Sequence, residues 1–184
     1  MTCIVGLTTK SGVILGADSC GSSYNTKQAF KTPKLFRVGK MMFGVAGDYR
    51  AAQIVQYSLS VCEPGDDALS YLIREFVPEL RKALEDGGRM GTKDGLEDSE
   101  LTALVGLRGK LFKVQRDASV LEPMNGILAI GSGGEVAYGV LRASTDSPEE
   151  RIKRALEISG EHTCYVSPPY FIAKEANDWK IEEI

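Results

Sequence analysis

Residues 2–7 and 13–17 are rich in β-branched and apolar side chains and flank the turn-forming run Thr8-Thr9-Lys10-Ser11-Gly12. This pattern predicts an antiparallel hairpin at the head of the chain. A loop is expected over residues 19–25, then a strand over 34–38, a turn at Gly39-Lys40, and an apolar strand over 41–46 that ends in Gly47-Asp48. The period then changes from two to about 3.6. Residues 49–62 place Ala51, Ile54, Val55, Leu59 and Cys62 on one face, and residues 66–84 do the same with Leu69, Leu72, Phe76, Leu80 and Ala83, with Pro78 expected to kink the second helix. Residues 85–100 are polar and glycine-rich and read as an exposed loop.

Strand patterning resumes over 101–107 and 111–115, around Arg108-Gly109-Lys110, and again over 127–130. Helices are expected over 135–143 and after Ser147, where Ser147 caps, Pro148 opens the first turn and Glu150 stands at the capping-box position. Strands over 163–166 and 170–173 close the chain. Strands, two helices, strands, two helices and strands in one 184-residue chain suit a single α+β domain, residues 1–184, in which two antiparallel sheets are covered by helices on their outer faces.

Composition narrows the chemistry. Hydrophobic residues make up 43% and charged ones 26%, enough for one well-filled core. Lys plus Arg number 22 against 25 Asp plus Glu, a net charge of −3, so no basic excess exists to neutralise a nucleic acid or an anionic membrane. No basic segment precedes an apolar run in residues 1–18, so no secretory leader is read there. The four cysteines (Cys3, Cys20, Cys62 and Cys164) form no C-x-x-C pair and read as reduced thiols of a cytoplasmic protein. A single histidine, His162, would have to serve any His-dependent site, and it reads as a helix-end residue.

Without a usable histidine, a hydroxyl nucleophile needs another base, and a free α-amino group, with an ordinary pKa of about 8, can act as one. Removal of Met1 would give Thr2 both groups. Asp18 lies sixteen residues after Thr2, and Lys34 sixteen further on. Together with Thr2-Cys3-Ile4-Val5-Gly6-Leu7, Gly16-Ala17-Asp18, Phe43-Gly44-Val45-Ala46-Gly47-Asp48 and Ala129-Ile130-Gly131-Ser132-Gly133-Gly134, this spacing resembles the threonine peptidases of the proteasome β subunit and its bacterial relative HslV. In length the chain is nearer HslV.

The resemblance implies a four-layer αββα sandwich, the N-terminal nucleophile hydrolase fold. It further implies identical subunits in stacked rings, an ATP-dependent unfoldase as partner, and unfolded polypeptide as substrate. By position, Thr2 would attack, Lys34 would tune its amine, Asp18 would hold Lys34, the Gly44 N–H would stabilise the oxyanion, and Ser132 would bond near the amine. Gly21, Ser22, Met42 and Ala46 match positions lining the substrate strand and first specificity pocket. No cofactor is required, although HslV-type chains bind a sodium ion through carbonyls matching Gly160, Thr163 and Val166. Glu161 and Cys164 stand where proteasome subunits have an Asp and a Ser. Two other readings keep the fold. One is a noncatalytic ring or scaffold subunit that retains Met1, and the other an amidase acting on a small metabolite.

Overall fold

A computed structural model describes residues 2–23, 26–175 and 179–184. The opening hairpin forms as expected from β1 (Cys3–Thr9) and β2 (Gly12–Asp18). The expected loop at 19–25 instead enters a second hairpin, β3 (Cys20–Ser23) with β4 (Thr26–Ala29); Tyr24 and Asn25 lie outside the described residues. β5 (Leu35–Val38) and β6 (Met41–Gly47) follow, joined through Gly39 at φ 56°.

Helix α1 (Tyr49–Tyr57) is shorter than the periodicity suggested; Asp48 caps it by accepting from the Ala51 N–H at 2.8 Å. The second helix is split into α2 (Ala68–Tyr71), a π-helical turn (Leu72–Phe76) and α3 (Val77–Asp86). Pro78 has no N–H to donate into the preceding turn, and the wide turn accommodates it while keeping Leu72, Phe76, Leu80 and Leu84 buried in line.

The polar stretch expected to be a loop contains a hairpin, β7 (Gly91–Lys93) and β8 (Leu96–Asp98), turned by Asp94 and Gly95, both at positive φ. Turn chemistry makes this pair without apolar alternation. β9 (Leu101–Leu107), β10 (Lys110–Val114), β11 (Val120–Leu121), β12 (Ile127–Gly131), α4 (Gly134–Ala143) and α5 (Pro148–His162) complete the middle of the chain. Ser147 caps α5 as expected, accepting from the Glu150 N–H at 3.4 Å. No strand forms at 163–166, because the Thr163 hydroxyl and N–H both turn back to the Ser159 carbonyl. β13 (Tyr170–Lys174) and β14 (Ile181–Glu183) end the fold.

The strands form two five-stranded antiparallel sheets, ordered β12-β1-β2-β13-β14 and β11-β10-β9-β6-β5. Period-two alternation divides their side chains among three interiors. On β1, Cys3, Val5 and Leu7 face α4 and α5, where they meet Ala137, Leu141, Ile152, Ala155 and Leu156. Ile4 faces the other way and packs between the sheets with Leu15, Met42, Leu104 and Leu111. The outer face of the second sheet, including Phe43, Val45, Val105 and Phe112, packs under α1 and α3. The result is the four-layer αββα sandwich expected from the sequence. Among the described residues no helix is long and apolar enough to cross a membrane.

Candidate active site

The site lies at one end of the sandwich, where β1 begins and β6 ends. β1 and β2 pair so that Ile4 faces Ala17, and this register sets Asp18 beside the start of β1. One Asp18 oxygen accepts from the Cys3 N–H at 2.8 Å and from Lys34 Nζ at 2.7 Å; the other accepts from the Cys20 N–H at 2.9 Å. Lys34 Nζ also donates to the Cys20 carbonyl at 2.7 Å. Asp18 is 1% exposed and Lys34 5%, so this is a buried ion pair with most of its bonding capacity filled. Burial pushes the Lys34 ammonium below its ordinary value, while Asp18 opposes that shift.

Thr2 is 5% exposed and opens on two cavities. It shares the first with Thr32, Pro33, Lys34, Val45, Gly47 and Gln53. On its other side is Ser132. The Thr2 nitrogen donates to Ser132 Oγ at 3.2 Å, and the Thr2 carbonyl accepts from Ser132 Oγ and from the Gly133 N–H, each at 3.3 Å. Gly131 makes this possible. Its φ is 89°, and a Cβ there would stand 2.1 Å from the Thr2 carbonyl oxygen. Behind the turn, the fully buried Ser159 hydroxyl lies 3.2 Å from the Gly133 carbonyl and 2.7 Å from that of Ala155, tying α5 to the loop that holds Thr2. Met1, whose removal would convert the Thr2 nitrogen into an amine, lies outside the described residues.

The structure therefore brings Thr2, Asp18, Lys34 and Ser132 together, with Ala46 lining both cavities. Gly44 does not join them. Its position is between the sheets, where a Cβ would meet Ile4 Cγ2 at 2.5 Å. Asp48 donates its N–H to Glu100, and Val45 donates to Lys34, so alternation along β6 turns the Gly44 N–H toward Leu104 of β9. The same alternation turns the Gly47 N–H to the β5 side, beyond the point where β5 begins and onto the first cavity. Gly47 had a sequence signal, the strand-ending Gly47-Asp48 pair before α1, but a motif match alone does not fix its parity.

Met42 is likewise a correction: it is 2% exposed in the inter-sheet core and lines neither cavity at Thr2. Gly21 and Ser22 lie on β3 and line neither cavity; the missing Gly21 side chain leaves room for the Phe30 ring. Of the three residues matched to a cation site, Gly160 is in the last turn of α5, Thr163 is its C-cap, and Val166 follows in the connection to β13. Thr163 O accepts a long bond from the Val166 N–H at 3.5 Å, and Val166 O lies 3.6 Å from where a Gly160 Cβ would stand. The Tyr170 hydroxyl also crowds Gly160, 2.2 Å from where its Cβ would stand.

Competing nucleophiles fall away. Burial pushes the Cys3 thiol up to about 12, leaving it protonated and inert near neutrality. His162 occupies the last turn of α5, its ring nitrogen 2.9 Å from the Ile158 carbonyl, and lines neither cavity. The Cys20 carbonyl, which anchors Lys34, carries no sequence signal because any residue supplies one.

The layer order and sheet topology are those of the N-terminal nucleophile hydrolase fold, and the solved structures to which the chain is similar share that fold. The BPH protein of Thiobacillus denitrificans is 20% identical with a TM-score of 0.78, over 96% of this chain and 100% of that one. A second structure of it, in complex with epoxomicin, gives 19% and 0.78 over 95% and 100%. HslV from Trypanosoma brucei is 21% identical with a TM-score of 0.65 over 100% of both chains. Anbu, an ancestral β-subunit, from Yersinia bercovieri is 15% identical with a TM-score of 0.71 over 100% of this chain and 86% of that one. At these identities the likeness is one of fold. No protein-family model matches the chain.

Proposed function

We propose that the chain is a threonine-type endopeptidase subunit of a self-compartmentalising ring, with Thr2 as nucleophile once the bond to Met1 is cleaved. The observation that carries this reading is the buried Asp18–Lys34 pair, whose lysine lines the same cavity as Thr2. A buried cation beside the cleft lowers the proton affinity of a nearby amine, which favours a free base near neutral pH.

In the proposed reaction Thr2 Oγ attacks the peptide carbonyl and the Thr2 amine takes its proton. The Gly47 N–H, facing the cleft, bonds the developing oxyanion in place of Gly44. The amine then delivers that proton to the departing nitrogen, leaving an ester on Thr2. Water attacks the ester and gives its proton to the amine, which passes it to the departing Thr2 Oγ, releasing the acid with Thr2 restored. Ser132 holds the amine and the Thr2 carbonyl in place.

The likeness of fold supports assembly into stacked rings of identical subunits, unfolded polypeptide as substrate, an ATP-dependent unfoldase as partner, and a cytoplasmic location. The turn at 160–166 is the place for a sodium ion. Intact and native mass, with peptide cleavage, test the reading. The purified assembly should begin at Thr2, cleave peptides, and gain the mass of epoxomicin, the compound held by the BPH neighbour. Thr2→Ala in the Met-free protein should lose both cleavage and adduct. An assembly that keeps Met1 and is inert overturns the proposal and leaves the noncatalytic scaffold reading.

A further inference from the structure

The second cavity at Thr2 lies on the far side of the residue from Val45 and Gln53. It has a volume of about 550 Å³ and is walled by Gly131 and Ser132 from one sheet and Ala46, Thr102 and Lys113 from the other. A further cavity of about 430 Å³ shares Thr102, Lys113 and Arg116 with it and reaches the β7–β8 hairpin. The two form one groove leading away from Thr2.

Register sets Lys113 in its middle. Phe112 and Val114 are buried beneath the helices, whereas Leu111 packs between the sheets, so Lys113 follows Leu111 on the inner face where the sheets part. The neighbouring Arg116 is neutralised: two bonds of 2.6 Å tie it to Asp98, and Glu100 lies 3.9 Å away. Glu100 and Glu135 stand exposed at the rim. Lys113 is half-buried, and its ammonium makes no ion pair or hydrogen bond among the described residues. An ammonium partly withdrawn from water without a counter-charge is matched by an incoming carboxylate. The first turn of α4 opens on the same cavity at Gly134 and adds partial positive charge.

We propose that Lys113 is a specificity residue that selects an acidic side chain on the leaving-group portion of the substrate. The assignment rests on the peptidase reading for its direction: the segment before the scissile bond approaches Thr2 from the side of Val45 and Gln53, where the recess measures about 20 Å³, and the departing segment runs into the groove at Lys113.

The test is a binding measurement that needs no cleavage. Short fluorescein-labelled peptides carrying a single Glu, Gln or Lys, walked along the sequence, are titrated into the Met-free Thr2→Ala protein by fluorescence polarisation. The Glu peptide should bind about fivefold tighter than its Gln counterpart at one position, with the difference shrinking at high salt. Lys113→Met should remove the preference, and Lys113→Glu should turn it toward the Lys peptide; circular dichroism confirms folding. A Glu-to-Gln ratio of one, or a ratio unmoved by both variants, overturns the proposal. Failure of the peptidase reading shows separately, as absent cleavage by the Thr2 protein.

Discussion

Replacing Asp18 by Asn removes one charge and one acceptor from a site where three donors converge on a carboxylate, the N–H groups of Cys3 and Cys20 and the ammonium of Lys34. An amide offers one oxygen, so at least one donor must face its NH₂ group. The ammonium, 5% exposed, is left without its counter-charge. Breaking a buried pair from one side costs about 3–5 kcal/mol. The chain can limit the loss by releasing the proton: forcing a lysine of ordinary value 10.5 to be neutral at about pH 7 costs at most about 4.8 kcal/mol. The two figures agree, and the loss is a large part of a typical stability of about 5–15 kcal/mol.

Urea unfolding followed by circular dichroism measures it. The sign with pH follows from proton counting. A lysine whose folded value is depressed binds fewer protons folded than unfolded, so its penalty fades as pH rises toward 10.5. The Asp18→Asn protein should therefore recover about 1.4 kcal/mol per pH unit against the wild type above neutrality. Adding Lys34→Met should restore about 2 kcal/mol at neutral pH by removing the stranded charge. A loss below about 1 kcal/mol with no pH slope would refute the buried-pair reasoning.

Two further predictions concern the surroundings of Thr2. Gly131→Ala forces a side chain onto a backbone at φ 89° and against the Thr2 carbonyl, so it should cost about 2–4 kcal/mol in thermal or urea unfolding; a loss within about 0.5 kcal/mol would show that the turn yields. A thiol-reactive dye near neutral pH should label Cys62 and Cys164, which are exposed, and reach the buried Cys3 and Cys20 only after unfolding, as peptide mapping would show.

The sandwich was legible because its signals are local and repeated. Ile4 and Leu15 alternate with Cys3, Val5 and Ile14, and Ser147-Pro148 marks the start of α5 without help from distant residues. The Thr2, Asp18 and Lys34 grouping was legible from spacing on two strands and their connection. Which β6 N–H faces the cleft was not, because a single-residue slip along β6 exchanges the N–H groups facing β9 for those facing the cleft. Only the bonds of Val45 and Asp48 show that Gly44 belongs to one set and Gly47 to the other. The β7–β8 hairpin was hidden for another reason: its strands are exposed and lack an apolar face, and it is held by ion pairs from Glu97 to Arg81 and from Asp98 to Arg116.

Ser159 gives the outer helix layer a second part to play. Its hydroxyl couples the C-terminal turn of α5 to the Gly133 peptide, and the adjoining N–H grips the Thr2 carbonyl. Sliding that helix along its axis would drag the Thr2 peptide unit with it. Pressure applied to the back of the sandwich thus has a mechanical route to Thr2, and repacking α5 can shift Thr2 without touching a residue that lines either cavity.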